Sequence, residues 1–432
     1  MSAIESISLL NNLWVLLCSL LVFIMTIAVG FLEVGELGEK LNRSLFKTML
    51  INGSALFFMA FLGFNIAFAP TIGNGLIGNP LYTSPFLGSF TSGNENILTG
   101  AWWSMSEAYL NTGITLSSYF FFESAFAAVT LALVGVITLR KMKHEAFFIY
   151  SIAYFVIIWT LPAAWIWNPT GWLAVLGVKD FAGGLVVHGA AGAAGLGIVY
   201  QMWREETKKG FKESPKVAMN LNIKPGWLTL SILLLLMGWF GFNPGSVLAI
   251  NHSAELVVLT TFLAAASCLW STLLFKYLET KQNPGLFYAD NGLLMGLIVI
   301  TPLAAFVDVG AAVIIGFISG PLYIYCEKLF ARVKWFSDPI GLFPAHMVGG
   351  IFGMIMIAFF GQSIFSEAAG YHNLPNGLLL GGGIDALQQL GIQLIGIVAV
   401  MIAVFLLSFI TSWIISKILH GITTDYEKEG IT

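Results

Sequence analysis

The sequence predicts an all-α integral membrane protein of eleven transmembrane helices, arranged as a 5+5 inverted pseudo-repeat plus one extra helix. Three observations predict it. Of the 432 residues, 57% are hydrophobic and only 10% are charged, whereas soluble domains carry about a quarter charged residues. Apolar runs of the length a bilayer requires, about 20 residues, recur along the whole chain. Threading eleven such runs puts 19 of the 20 Lys and Arg residues on one side, leaving only Lys179 on the other.

In chain order the runs lie near 11–32, 48–70, 115–138, 146–166 and 181–202 (helices 1–5, 11–202), then 227–249, 255–277, 285–303, 306–327 and 342–361 (helices 6–10, 227–361), then 389–418 (helix 11). They make one membrane domain over 1–418, followed by a short tail, 419–432. Met1 to Asn12 has no Lys/Arg cluster, so the first run reads as a retained helix and not a signal peptide. Residues 71–114 form a Gly/Asn/Ser-rich connection, with Trp102 and Trp103 where an interfacial aromatic belt would sit. A miscounted span would scramble the alternation of basic loops. The count and the positive-inside rule therefore give an N-terminus outside and a C-terminus in the cytoplasm of a cell membrane.

Several function classes fall away. A net charge of -3 offers no basic face to nucleic acid. Cys18, Cys268 and Cys326 lie in apolar runs at irregular spacing and give neither a disulfide framework nor a metal signature, so no metal and no cofactor is expected. No nucleophile–base pair or phosphate loop supports an intramembrane enzyme.

The repeat carries the chemistry. Helix 5 opens Asp180-Phe-Ala-Gly-Gly-Leu-Val-Val-His188, and helix 10 opens Asp338-Pro-Ile-Gly-Leu-Phe-Pro-Ala-His346. In each, an acid stands eight residues before a histidine. At about 1.5 Å per residue, each histidine lies roughly 12 Å below its own surface. The two approach the midplane from opposite sides, a pattern of transporters built from inverted repeats. One intramembrane histidine could simply pack against a carbonyl; two at matched depth point to function. Neutral imidazoles facing each other offer hydrogen bonds to a small polar solute and a path for a proton. A metal centre lacks further ligands nearby.

These segments resemble the ammonium transporter family, which includes the Mep and Rhesus-type proteins. The resemblance runs from about residue 11 to 430. It rests on Asp180–His188, on Gly238-Trp-Phe-Gly-Phe-Asn-Pro-Gly-Ser246, on Phe343-Pro-Ala-His346-Met-Val-Gly-Gly, on Phe120-Phe-Phe-Glu-Ser-Ala-Phe126-Ala-Ala and on Ile300-Thr-Pro-Leu-Ala-Ala. It implies a homotrimer with one pore per subunit. It also implies an outer recruitment site at Trp167 and Ser246 with Phe126 and Asp180, a gate of Phe126 and Phe242, and a pore lined by His188, His346 and Trp239. The physics is compatible: an indole face attracts a cation by about 0.5–2 kcal/mol, and a hydroxyl accepts one N–H. Plain alternatives stay open, namely interfacial anchoring for Trp167, ordinary packing for the two phenylalanines and helix capping for Asp180.

The chain departs from the family pattern in places. Glu123 stands where a neutral residue, often Gln, is usual; it either serves cations or protons near Phe126 or pairs across a subunit interface. Pro244 replaces a small residue, Gly341 an acid and Leu139 a Glu. The tail from Gly421 to Thr432 resembles only the opening of the family's cytoplasmic tail. The last three differences weigh against tail-mediated coupling and against control by a PII-type regulator. The expected function is ammonium/ammonia transport, with ammonium recruited outside, deprotonated, and passed as ammonia along the histidine-lined pore. The alternative is an ammonium-sensing membrane domain of a signal transducer, with little or no flux and a signalling domain as partner. Passage of carbon dioxide or water is a further channel reading, against which Trp167 and Ser246 argue.

Overall fold

A computed structural model of the chain describes residues 3–82, 110, 112–138, 140–215, 224–338 and 340–429. Trp102, Trp103, Leu139, Lys216 and the last residues of the tail lie outside these.

The protein is an all-α integral membrane protein. Among the described residues, ten helical segments are long and apolar enough to cross a bilayer, and an eleventh apolar helix is shorter. In order these are α1 (Glu5–Glu36), α2 (Leu41–Phe68), α3 (Leu116–Ile137), α4 (His144–Ile166), α5 (Gly184–Lys208), α6 (Pro225–Val247), α7 (His252–Thr280), the shorter α8 (Gly285–Ile300), α9 (Val309–Ala331), α10 (Leu342–Phe360) and α11 (Gly383–Ile418). Several begin or end beyond the apolar runs. α2 starts seven residues before position 48, because the polar turn at Leu41–Lys47 is held against α1: Ser44 donates to the Gly30 carbonyl, and Lys47 pairs with buried Glu33. α8 stops at Ile300, and the chain continues as turns through Phe306. The connection after α2 opens with a two-stranded hairpin, Thr71–Ile72 against Ile77–Gly78.

The buried elements are α3 and α5, each with 89% of its apolar window covered, while only 28% of the α11 window is covered. α5 can sit centrally because it is built from small residues. A Cβ added at Gly192 would meet the Met347 side chain at 2.5 Å, and one at Gly197 would meet the Phe405 carbonyl oxygen at 2.8 Å. Close packing of small residues is how helices associate where lipid offers no hydrophobic drive. The outward faces of α7 and α11 stay apolar, with Trp270, Leu274, Ile402 and Ile410 exposed.

Several basic residues gather around the described tail. Glu205 accepts from the Ile422 and Thr423 N–H groups, and Glu206 accepts from the Tyr426 hydroxyl. Lys143 donates to the Leu419 and Gly421 carbonyls, and Arg43 pairs with Glu429. Lys141, at 2.9 Å from Glu206, is held below the usual lysine range by burial, which its partner only partly offsets. The described tail is thus strapped across α2, α3 and α5.

Candidate functional site

Two short segments position the site, and both solve the same local problem. A helix that starts inside a membrane has unpaired N–H groups, which need acceptors. Asp180 supplies them for α5: one oxygen accepts from Gly183 and Gly184 and the other from Leu185 and Val186, at 2.7–3.0 Å. Asp338 does the same for α10, accepting from Leu342 and Phe343, each at 2.9 Å. Three residues after each acid comes a left-handed glycine, Gly183 at φ 107° and Gly341 at φ 74°. Each glycine is followed by a π-helical turn, Gly184–Gly189 or Leu342–Met347, whose penultimate residue is a buried histidine. Gly341, where the family pattern has an acid, therefore occupies the backbone position that Gly183 occupies in the first copy, one that favours glycine.

The two histidines meet. Their Nδ1 atoms are 3.1 Å apart and the ring centroids 5.1 Å, both side chains being buried. One Nδ1 must donate and the other accept, so the pair is held by a single shared proton. His188 Nε2 has no partner among the described atoms and borders a chamber of about 20 Å³, lined also by Val29, Leu133, Val187, Leu235 and His346. His188 stacks with two rings that also meet each other, at 5.6 Å from Trp239 and 5.7 Å from Phe242. Trp239 is fixed in turn by its Nε1–H, which donates to Thr301 Oγ1 at 3.1 Å.

Phe242 and Phe126 face each other at 4.3 Å between centroids and close the chamber. Beyond them lies a vestibule of about 440 Å³, lined by Tyr119, Glu123, Trp167, Asp180, Ser246 and Tyr371 among others. Trp167 packs edge-on against Phe126 at 6.0 Å. Its Nε1–H donates to the Asp180 carbonyl, which orients the indole. Ser246 Oγ donates to the Phe242 carbonyl at 2.8 Å, so its hydroxyl oxygen remains an acceptor.

All eight residues singled out from the sequence thus line one path. Trp167, Ser246 and Asp180 border the vestibule, Phe126 and Phe242 separate it from the chamber, and His188, Trp239 and His346 line the chamber. Asp180 contributes by positioning, since four N–H groups occupy its carboxylate. Sequence reasoning missed Thr301, Tyr119 and Tyr371. Thr301 stood in a quoted motif and could have been found there, while Tyr371 lies in a connection with no pattern to mark it.

A profile of the Ammonium Transporter Family matches residues 13–432. The chain belongs to this family. The Bacillus subtilis ammonium transporter is 28% identical over 420 residues, which cover 97% of this chain and 95% of that protein. Ammonium transporter Amt1 of Archaeoglobus fulgidus is 30% identical over 93% of this chain and 90% of its own length. Among solved structures, a Sensor Amt Protein superposes with a TM-score of 0.80 at 25% identity, covering 99% of this chain and 98% of its own. Saccharomyces cerevisiae Mep2 gives 0.77 at 25% identity, covering 93% of this chain and 84% of its own. Family membership accounts for the multi-pass architecture and explains why the motifs of the opening section converge on one path.

Proposed function

We propose that this family member carries ammonium across a cell membrane, recruiting it in the vestibule, releasing its proton and passing ammonia through the histidine-lined chamber. The observation that carries the reading is the narrowness of the route below the phenylalanines and its mostly apolar lining. Moving an ammonium-sized ion into such a medium costs on the order of 20 kcal/mol in the idealised limit, which aromatic rings and methyl groups do not offset. Neutral ammonia avoids most of that cost and keeps a hydrogen-bond partner in His188 Nε2. The linked Nδ1 atoms offer the separated proton a relay, making the net event electrogenic. In this reading the vestibule faces outward and the end bearing the basic residues and the tail faces the cytoplasm, following the positive-inside rule. The two acid–glycine–histidine segments are then the matching members of inverted halves. The subunit assembles as a homotrimer through apolar faces such as that of α7.

A second reading, an ammonium sensor coupled to a signalling domain, is favoured by the likeness to the Sensor Amt Protein. One experiment separates the two. The purified protein in liposomes on a solid-supported membrane receives an ammonium pulse, while calorimetry records binding. Transport predicts a transient ammonium-dependent current; binding heat without current would replace it with sensing.

A further inference from the structure

The vestibule holds two carboxylates whose situations are opposite. Asp180 is consumed by the four N–H groups of its own helix start. Glu123 is only 4% exposed, and its Oε2 is buried with no hydrogen-bond partner. It sits on α3 one turn from Phe126 and lines the vestibule with Trp167 and Ser246, fully inside the subunit. That placement removes it from any subunit interface and leaves the first of its two sequence readings. Tyr119, one turn earlier on the same helix, lines the same space. Among the described residues that line this space there is no Lys or Arg.

A buried carboxylate oxygen without a partner is costly unless a cation or a proton meets it. The vestibule also presents a hydroxyl oxygen at Ser246 and an aromatic face at Trp167. All three groups accept; the neighbourhood is built for a small cation that donates. We propose that Glu123 supplies the anionic partner of a cation-binding site in the vestibule, shared with Trp167 and Ser246 and specific for small N–H-bearing monocations of the ammonium and methylammonium class. This rests on reading ammonium as the substrate. It adds a charge where the family pattern has a neutral side chain.

The titratable groups facing Glu123 are Tyr119 on its own helix, Tyr371 and His372 from the segment before α11, and Asp180 from the start of α5. His372 is exposed at the rim and is common to every variant, so differences between variants isolate Glu123.

The test measures the ammonium-induced current against ammonium concentration at several pH values for the wild type, Glu123→Gln and Glu123→Asp. Glu123→Gln keeps the shape and is expected to raise the apparent KM about tenfold, the equivalent of one charge-assisted hydrogen bond, while the maximal current is kept. The wild-type KM is expected to rise as pH falls and the carboxylate is protonated; the Gln variant is expected to show a flatter profile. Glu123→Asp is expected to keep the pH dependence at intermediate affinity. An unchanged KM in the Gln variant, or a pH profile equal to that of the wild type, overturns the proposal. If the wild type itself carries no current, transport fails as a reading, and calorimetric ammonium affinities of the same three proteins decide the role of Glu123 by the same criteria.

Discussion

The two histidine-bearing segments share a plan and differ in what surrounds it. Asp180 holds four N–H groups within 3.0 Å, while Asp338 holds Leu342 and Phe343 at 2.9 Å. Gly183 is crowded, since an added Cβ would meet Val187 Cγ2 at 2.6 Å and the Trp167 ring at 3.3 Å, whereas at Gly341 the nearest atom, the Tyr323 hydroxyl, is 3.5 Å away. The first segment opens on an aromatic vestibule with a free carboxylate, and the second on Asn291 and Ile340. The lesson is that the shared elements, cap, left-handed glycine, π turn and histidine, are what it takes to start each helix and turn its histidine inward. The unshared ones are what distinguishes the vestibule end.

The comparison can be broken at its glycines first, where the largest stability difference is expected. Gly341→Ala should cost about 1–2 kcal/mol, the penalty of a side chain in the left-handed region. Gly183→Ala should cost clearly more, because the clash with Val187 is added to it. Thermal unfolding in detergent checks the order, and equal shifts would mean that the crowding at Gly183 relaxes freely.

A smaller difference is expected at the caps. Asn offers one acceptor oxygen where the carboxylate offers two, so Asp180→Asn should cost about 3 kcal/mol and Asp338→Asn roughly half of that, at about 1.5–3 kcal/mol per lost charged bond and partial rescue by the remaining oxygen. The same unfolding assay reads both; a larger cost at Asp338 would reverse the assigned asymmetry.

A further difference is expected in pH. Burial pushes the Asp338 carboxyl up to about 6, against the pull of the backbone N–H groups it accepts. Because the folded value lies above the ordinary one, the folded state holds the proton more tightly, and stability falls as pH rises from the ordinary carboxylate range through about 6. In Asp338→Asn that part of the slope should disappear. Melting temperatures between pH 4 and 7 show it, and an unchanged slope would assign the effect to another group.

Much of this was legible in the sequence, for physical reasons. Apolar runs must obey the bilayer wherever they fall, so the membrane-spanning helices could be read from the order of residues along the chain. The Asp-x7-His spacing was visible because capping and depth fix it along a single segment. What lay hidden was whatever depends on neighbours distant in sequence. Glu123 could be read as interface or vestibule until α3 was packed. Tyr371 reaches the vestibule from a patternless connection, and the Thr301 hydroxyl that holds Trp239 is fixed only when α8 meets α6. The π turns were also hidden, since a glycine three residues after an acid signals a cap but not the widened turn that aims the histidine inward.

The central claim is that the substrate crosses beside the paired histidines, and one measurement tests it most directly. The ammonium-induced current of the His188→Ala/His346→Ala double variant is recorded beside the wild type on the same solid-supported membrane. The account predicts a wild-type current that the double variant loses while ammonium binding in the vestibule persists. A double variant that carries the wild-type current with unchanged dependence on ammonium concentration would contradict it.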